Sequence, residues 1–280
     1  MHLTVVTRDP AAVQAEVKAA FLAMFPNADP AFVGRFFGWA IDCFSGNHRD
    51  YQAVDARYHD FEHTLQGTLC LTRLLRGRHS AGAEPRLSER MFQLALAAIL
   101  FHDTGYLKKR GDAEGTGAKY TVTHVNRSAQ FTGQFLSEKG FRPSDVQAVQ
   151  NMISCTGVSA ALDAIPFQSE IEKIAGLCLA TSDLLGQMAA EDYVDKLPVL
   201  FAEFAEAASY TKDQTSFVAG FSSAEDLIRK TPDFWEKIVR VKLDRDFAGV
   251  HVFLNDPYPS GPNPYFERIE ANLARVRERL

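Results

Sequence analysis

The sequence is short of several things that define whole classes of protein. Its only cysteines, Cys43, Cys70, Cys155 and Cys178, lie far apart with no Cys-x-x-Cys pair, so neither a zinc ribbon nor a disulfide scaffold is suggested and buried free thiols are expected. No uninterrupted apolar run approaches the roughly 18 residues of a membrane span. The N-terminal stretch Met1–Pro10 lacks the basic start and long apolar core of a signal peptide, so a cytoplasmic protein without a membrane partner is expected. Positive charge is not in excess: 30 basic against 35 acidic residues leave a formal charge of −5, which argues against an extended nucleic-acid surface. Strand-period alternation, internal repeats and low-complexity tracts are also missing. What remains is a chain of 280 residues, 46% hydrophobic and 23% charged, long enough to bury a sizeable core.

Helical spacing fills it. Asp9-Pro10 and Asp29-Pro30 each suit an N-cap followed by proline at the first helical position. Val13, Val17, Phe21 and Met24 then recur at steps of three and four, as do Phe32, Phe36, Trp39 and Cys43. Further helices are predicted at about Tyr58–Leu75, Arg86–Phe101, Val122–Lys139, Pro143–Ser154, Gln168–Leu185, Ala190–Ala208, Ser223–Lys230 and Pro232–Phe247, making the fold class all-α. The run Met91–Phe101 is apolar on nearly every side apart from Gln93, the mark of a helix surrounded by protein. After it Gly105, Gly111, Gly115 and Gly117 punctuate a polar connection that reads equally as a mobile lid or as a plain surface loop. Four prolines in Asn255–Tyr265 suit an extended surface crossing. The final helix carries Phe266, Ile269, Leu273, Val276 and Leu280 on one stripe, which either docks on the body or pairs with a second copy as a homodimer.

Three groups of residues carry candidate chemistry. His59 and His63, in Tyr58-His59-Asp60-Phe61-Glu62-His63, would project from nearly one face of a helix, although a solvated histidine pair has the same spacing. His102-Asp103 ends an almost wholly apolar helix, where leaving an imidazole and a carboxylate unpaired costs several kcal/mol. A structural ion pair, a helix-end cap or a divalent cation would each compensate them. Asp183 sits in the largely apolar stretch Ile171–Leu185, either exposed by helix phase or serving a site.

Taken in order, Tyr-His-Asp-Phe-Glu-His at 58–63, Ala-Ile-Leu-Phe-His-Asp-Thr-Gly-Tyr at 98–106 and Ala-Thr-Ser-Asp-Leu-Leu-Gly-Gln at 180–187 resemble the HD-domain superfamily of metal-dependent phosphohydrolases. The first and third segments also look like those of cyclic-nucleotide phosphodiesterases. The resemblance covers about Tyr58–Gln187 and implies an HD-domain-like helical bundle at 51–190. Outside it, residues 1–50 are read as an N-terminal helical extension packed on the core, and 191–280 as a C-terminal helical region of the same globule that walls the cavity. It implies that His63, His102, Asp103 and Asp183 ligate a metal, with Asp103 able to bridge to a second ion, that His59 donates a proton, and that His124 binds the second metal. Two segments depart from the family's words: Thr104-Gly105-Tyr106-Leu107 lacks the further histidine of the phosphodiesterases, and Ile153-Ser154-Cys155-Thr156-Gly157 lacks the histidine pair of many dinuclear members.

Two imidazoles and two carboxylates suit iron, manganese, zinc or magnesium. Such an ion brings the pKa of a bound water down toward about 7 and polarises a phosphoryl oxygen, while His59 supplies the leaving group's proton. Lys108, Lys109, Arg110, Lys119 and Arg127 are candidate phosphate contacts, and Gln187 could orient a base or ribose; each is also compatible with an ordinary structural or surface role. The expected function is hydrolysis of a small phosphorylated molecule, with a nucleotide the leading class. An iron-dependent HD-type oxygenase and a non-catalytic metal-containing regulatory module are the alternatives.

Overall fold

The computed structural model describes residues 5–157, 160–211 and 220–279. Among them the chain forms ten α-helices and no strand: α1 (Pro10–Met24), α2 (Ala31–Phe44), α3 (Phe61–Ser80), α4 (Glu89–Phe101), α5 (His124–Glu138), α6 (Pro143–Ile153), α7 (Glu170–Met188), α8 (Tyr193–Tyr210), α9 (Ala224–Phe234) and α10 (Pro264–Glu278). None is long and apolar enough to cross a membrane. Helix starts follow capping chemistry, because the first N–H groups of a helix have no internal acceptor. Asp9 accepts from Ala11 ahead of α1, Asp60 from His63 ahead of α3, Ser88 from Met91 ahead of α4 and Ser169 from Glu172 ahead of α7.

Helix α4 lies at the centre, as its all-round apolarity predicts: Leu94 through Phe101 are all buried, and α2, α3, α6 and α7 pack around it. On one side Phe92 meets Phe21 and Phe32 from α1 and α2, at ring-centroid separations of 5.3 and 6.4 Å. On another, α3 and α7 cross at Gly186, where a Cβ would come within 2.8 Å of the backbone of Gln66 and Gly67. Only glycine permits that approach. One continuous hydrophobic core takes in residues from α1 through α10, and all four cysteines are buried as free thiols.

Several boundaries differ from expectation. Helix α3 starts at Phe61 rather than Tyr58 because the Asp60 carboxylate caps it, so His59 lies in the preceding turn and not one helical turn below His63. Pro232 lies inside α9, which runs on through two wide π-type turns, Trp235–Val239 and Lys242–Asp246, instead of opening a separate helix. In α10 the stripe Ile269, Leu273 and Val276 is buried against the same chain, and the Asn272 amide donates to the carbonyls of Met188 and Ala190 at 2.9 and 2.8 Å. Leu280 lies outside the described residues.

The connection from α4 to α5 is fastened at many points. Lys108 Nζ reaches Asp55 Oδ2 at 2.9 Å and the Gly115 carbonyl at 2.6 Å. Thr116 donates its hydroxyl to Glu206 at 2.7 Å, and Gly117 its N–H to Asp55 at 2.7 Å. These bonds tie the connection to α8 and to the segment before α3.

Candidate metal centre

Four side chains from three places in the core converge. His63 comes from the first turn of α3, His102 caps the C-terminus of α4, Asp103 follows it, and Asp183 projects from α7. His63 Nε2 lies 3.2 Å from both Asp103 Oδ2 and Asp183 Oδ1; His102 Nε2 lies 3.4 Å from each of the same two oxygens. Adjacent ligands around one first-row cation stand about 3–3.5 Å apart when their bonds are about 2.0–2.2 Å long. Donor atoms of His63, His102 and Asp103 all lie within 4.8 Å of one another, the spacing of a group able to hold an ion.

The hydrogen bonding shows which atoms are left over. His102 Nδ1 is 2.7 Å from the Ile99 carbonyl, so that nitrogen carries the proton and Nε2 turns its lone pair toward the carboxylates. His102 Nε2, Asp103 Oδ2 and Asp183 Oδ1 are buried with no hydrogen-bond partner. Unpaired buried polar atoms are costly, and three on neighbouring groups form a set able to hold a divalent cation. In the metal-free protein the imidazoles attract protons instead. Burial drives His63 down, but the carboxylates of Asp103 and Asp183, each 3.2 Å away, overcome it and raise its pKa to about 10. His102 is likewise raised against burial by the same two carboxylates. Both carboxyls are held below their usual range despite burial, by the nearby charges of His102 and His63.

Two further histidines border this set. His124, at the start of α5, has Nδ1 2.6 Å from the Thr121 carbonyl and Nε2 3.8 Å from Asp103 Oδ1, so the two oxygens of Asp103 face different imidazoles. Burial lowers the His124 pKa, favouring the neutral ring. Its position depends on Gly105, whose Cβ would strike the His124 carbonyl and Ser128. His59 Nδ1 lies 2.6 Å from Glu203 Oε2, while the other Glu203 oxygen accepts from the Tyr58 N–H at 2.7 Å. Burial pushes Glu203 up, but the His59 charge and the hydrogen bonds it accepts bring its pKa below normal. The Tyr106 ring stacks on both, 4.4 Å from His59 and 4.8 Å from His124.

Glu203 and Tyr106 were not among the sequence candidates. A trace of Glu203 is present in the chain, since Leu200, Glu203, Phe204 and Ala207 recur at helical steps and place a carboxylate on an otherwise apolar face of α8. Nothing local pairs it with His59, 144 positions away.

These groups open on a cleft of about 1040 Å³, walled by α7, α8 and α9 and lined by His59, His63, Asp103, His124, Asp183 and Gln187 at its polar end. Gln187 accepts from the Tyr58 hydroxyl at 2.8 Å and donates to the Asp183 carbonyl at 3.1 Å. The expected cations lie outside the lining of this cleft, and Lys108, Lys119, Arg127 and Arg110 have other partners. Lys108 is paired with Asp55, and Lys119 with Asp112. Arg127 donates to the Gly105 and Leu107 carbonyls with its guanidinium over the Tyr120 ring, and Arg110 donates to the carbonyls of Gly46, His48 and Arg49. Lys109 borders a separate surface groove with His48 and Phe131.

An all-helical chain with a buried His-His-Asp group is compatible with a metal site of the HD type. The chain is similar over residues 110–248 to the family described as Npun_R2479-like. That stretch includes His124, Asp183 and Glu203 and begins after His63, His102 and Asp103. No curated protein matches the chain.

Proposed function

We propose that the protein is a metal-dependent phosphohydrolase that cleaves a phosphate ester of a small molecule. The observation that carries this reading is the convergence of His63, His102, Asp103 and Asp183 with three buried, unpartnered donor atoms at the end of a cleft. Two imidazoles and two carboxylates suit manganese, iron, zinc or magnesium. When bound there, such an ion supplies an activated water and positive charge at a phosphoryl oxygen. Asp103 has a second oxygen directed toward His124, the arrangement of a carboxylate able to serve two ions.

The chain's own part is proton delivery. Glu203 accepts from His59 Nδ1, which fixes the ring and leaves Nε2 to donate a proton to the departing alkoxide. Stacking on Tyr106 holds the imidazole plane, and burial of Glu203 keeps water from competing for Nδ1. The closing test is a panel of phosphate mono- and diesters incubated with chelator-stripped protein and added manganese, iron, zinc or magnesium. Release of phosphate or alcohol that requires the ion supports the reading; inactivity toward every ester with each of the four ions bound overturns it.

A further inference from the structure

Away from its polar end the cleft changes character. Its walls are built from Leu184, Leu197, Phe204, Leu227, Phe234 and Ile238. Ile238 and Val122, both lining it, are 41% and 49% exposed, so apolar surface continues to the rim. Several polar side chains along the wall have turned to their own backbone, while Asn126 and Tyr193 remain as further polar groups in the lining. The hydroxyls of Thr121, Ser154, Thr156 and Thr231 donate to the carbonyls of Ala118, Gln150, Ile153 and Leu227 at 2.7–2.9 Å. The Asn151 amide is taken by Pro166 and Glu172.

Positive charge is equally scarce among the described lining residues. Among the described residues lining the cleft there is no arginine, and the lysines are Lys230 and Lys242. Lys230 is engaged by Asp226 at 2.8 Å, and Lys242 lies 3.6 Å from Asp246. A nucleotide needs donors and acceptors for its base and ribose and cations for its phosphates, and the wall provides few of either. An aliphatic chain needs only the apolar surface. The volume, about 1040 Å³, exceeds what a phosphate head alone requires and lies at the upper end of ordinary ligand sites.

We infer that the substrate is a single phosphate head on a long aliphatic tail, with the head at the His63, His102, Asp103 and Asp183 end and the tail along the apolar wall. This rests on the phosphohydrolase reading for the placement of the head, while the tail is argued from the wall alone.

The test separates the two. Ethyl-, hexyl- and decylphosphonate, each below its micelle concentration, are titrated calorimetrically into the full manganese-loaded chain, with adenosine monophosphate as polar comparator. Burial of each methylene tightens binding about fourfold, so decylphosphonate should bind more than about 100-fold more tightly than ethylphosphonate even when only part of the tail is covered. A flat series, or adenosine monophosphate binding more tightly than the decyl compound, overturns the inference. Ile238→Asp and Ala164→Trp change exposed lining positions and should reduce decylphosphonate affinity by at least about tenfold while leaving metal content and ethylphosphonate binding as they were. An undiminished decyl advantage in both variants also overturns it. Hydrolysis of decyl phosphate is scored separately: graded phosphonate binding without turnover of any ester sinks the hydrolytic reading and leaves the tail assignment standing.

Discussion

Helix α7 carries one buried and one partly buried carboxylate in very different company. Near its start Glu172 is 2% exposed and fully served: one oxygen accepts from Asn151 at 2.7 Å, the other from the Gln168 N–H at 3.1 Å. Three turns later Asp183 faces two imidazoles at 3.2 and 3.4 Å, and its Oδ1 has no hydrogen-bond partner. Burial is therefore a poor guide to function. A satisfied carboxylate fastens helices together, whereas one held beside other unsatisfied donors is arranged for something that arrives later.

The comparison breaks most directly at Asp103. Asp103→Ala and His102→Ala should each abolish turnover and lower metal affinity on the order of 100-fold or more, read by elemental analysis after dialysis. Wild-type metal content in Asp103→Ala would refute the ligand assignment. His59→Ala should retain the metal and slow turnover by about 10²–10⁴-fold, the usual range for a lost general acid. Should the rate stay within experimental error of wild type, His59 has no role in proton delivery. Glu172→Ala should do the reverse, costing about 1–3 kcal/mol in chemical denaturation because Asn151 loses its acceptor, with metal stoichiometry unchanged. If the Glu172 variant sheds metal, the two ends of α7 are not separable.

The smallest effect is a pH slope. His63 in the metal-free protein is raised to about 10 from 6.5, so the stability it contributes is fully present below pH 6.5 and is lost as pH climbs through 10. Asp103 and Asp183 are depressed, so their contribution is present above the ordinary value of 3.8 and disappears as pH falls. The metal-free melting temperature should thus decline across pH 6.5–10. Metal must displace the His63 proton, so the stabilisation given by added manganese should grow over the same window. Stabilisation by metal that does not change with pH there would mean that His63 binds no proton the ion has to displace.

Much of the fold was legible in the chain because its signals are local. Apolar spacing located the helices, the apolar run before His102 predicted a central α4, and the order His63, His102-Asp103, Asp183 singled out side chains that the structure brings together. For the expected cations a nonlocal partner intervened. Lys108 looked available to a phosphate only until Asp55, 53 positions earlier, claimed it. Arg127 met the carbonyls of the loop after Asp103, and His59 left the helix because the next residue, Asp60, spends its carboxylate on the cap.

By itself the sequence determined that this is an all-helical chain with His102-Asp103 at the end of an apolar helix, where water is scarce. The tertiary structure alone decided which of those groups share a point in space, that Glu203 stands behind His59, and that the cleft beyond them is apolar. The physical reason is range. Helix periodicity and capping act over a few residues, whereas the partner of a charge is chosen by whichever distant element packing brings within about 3 Å of it.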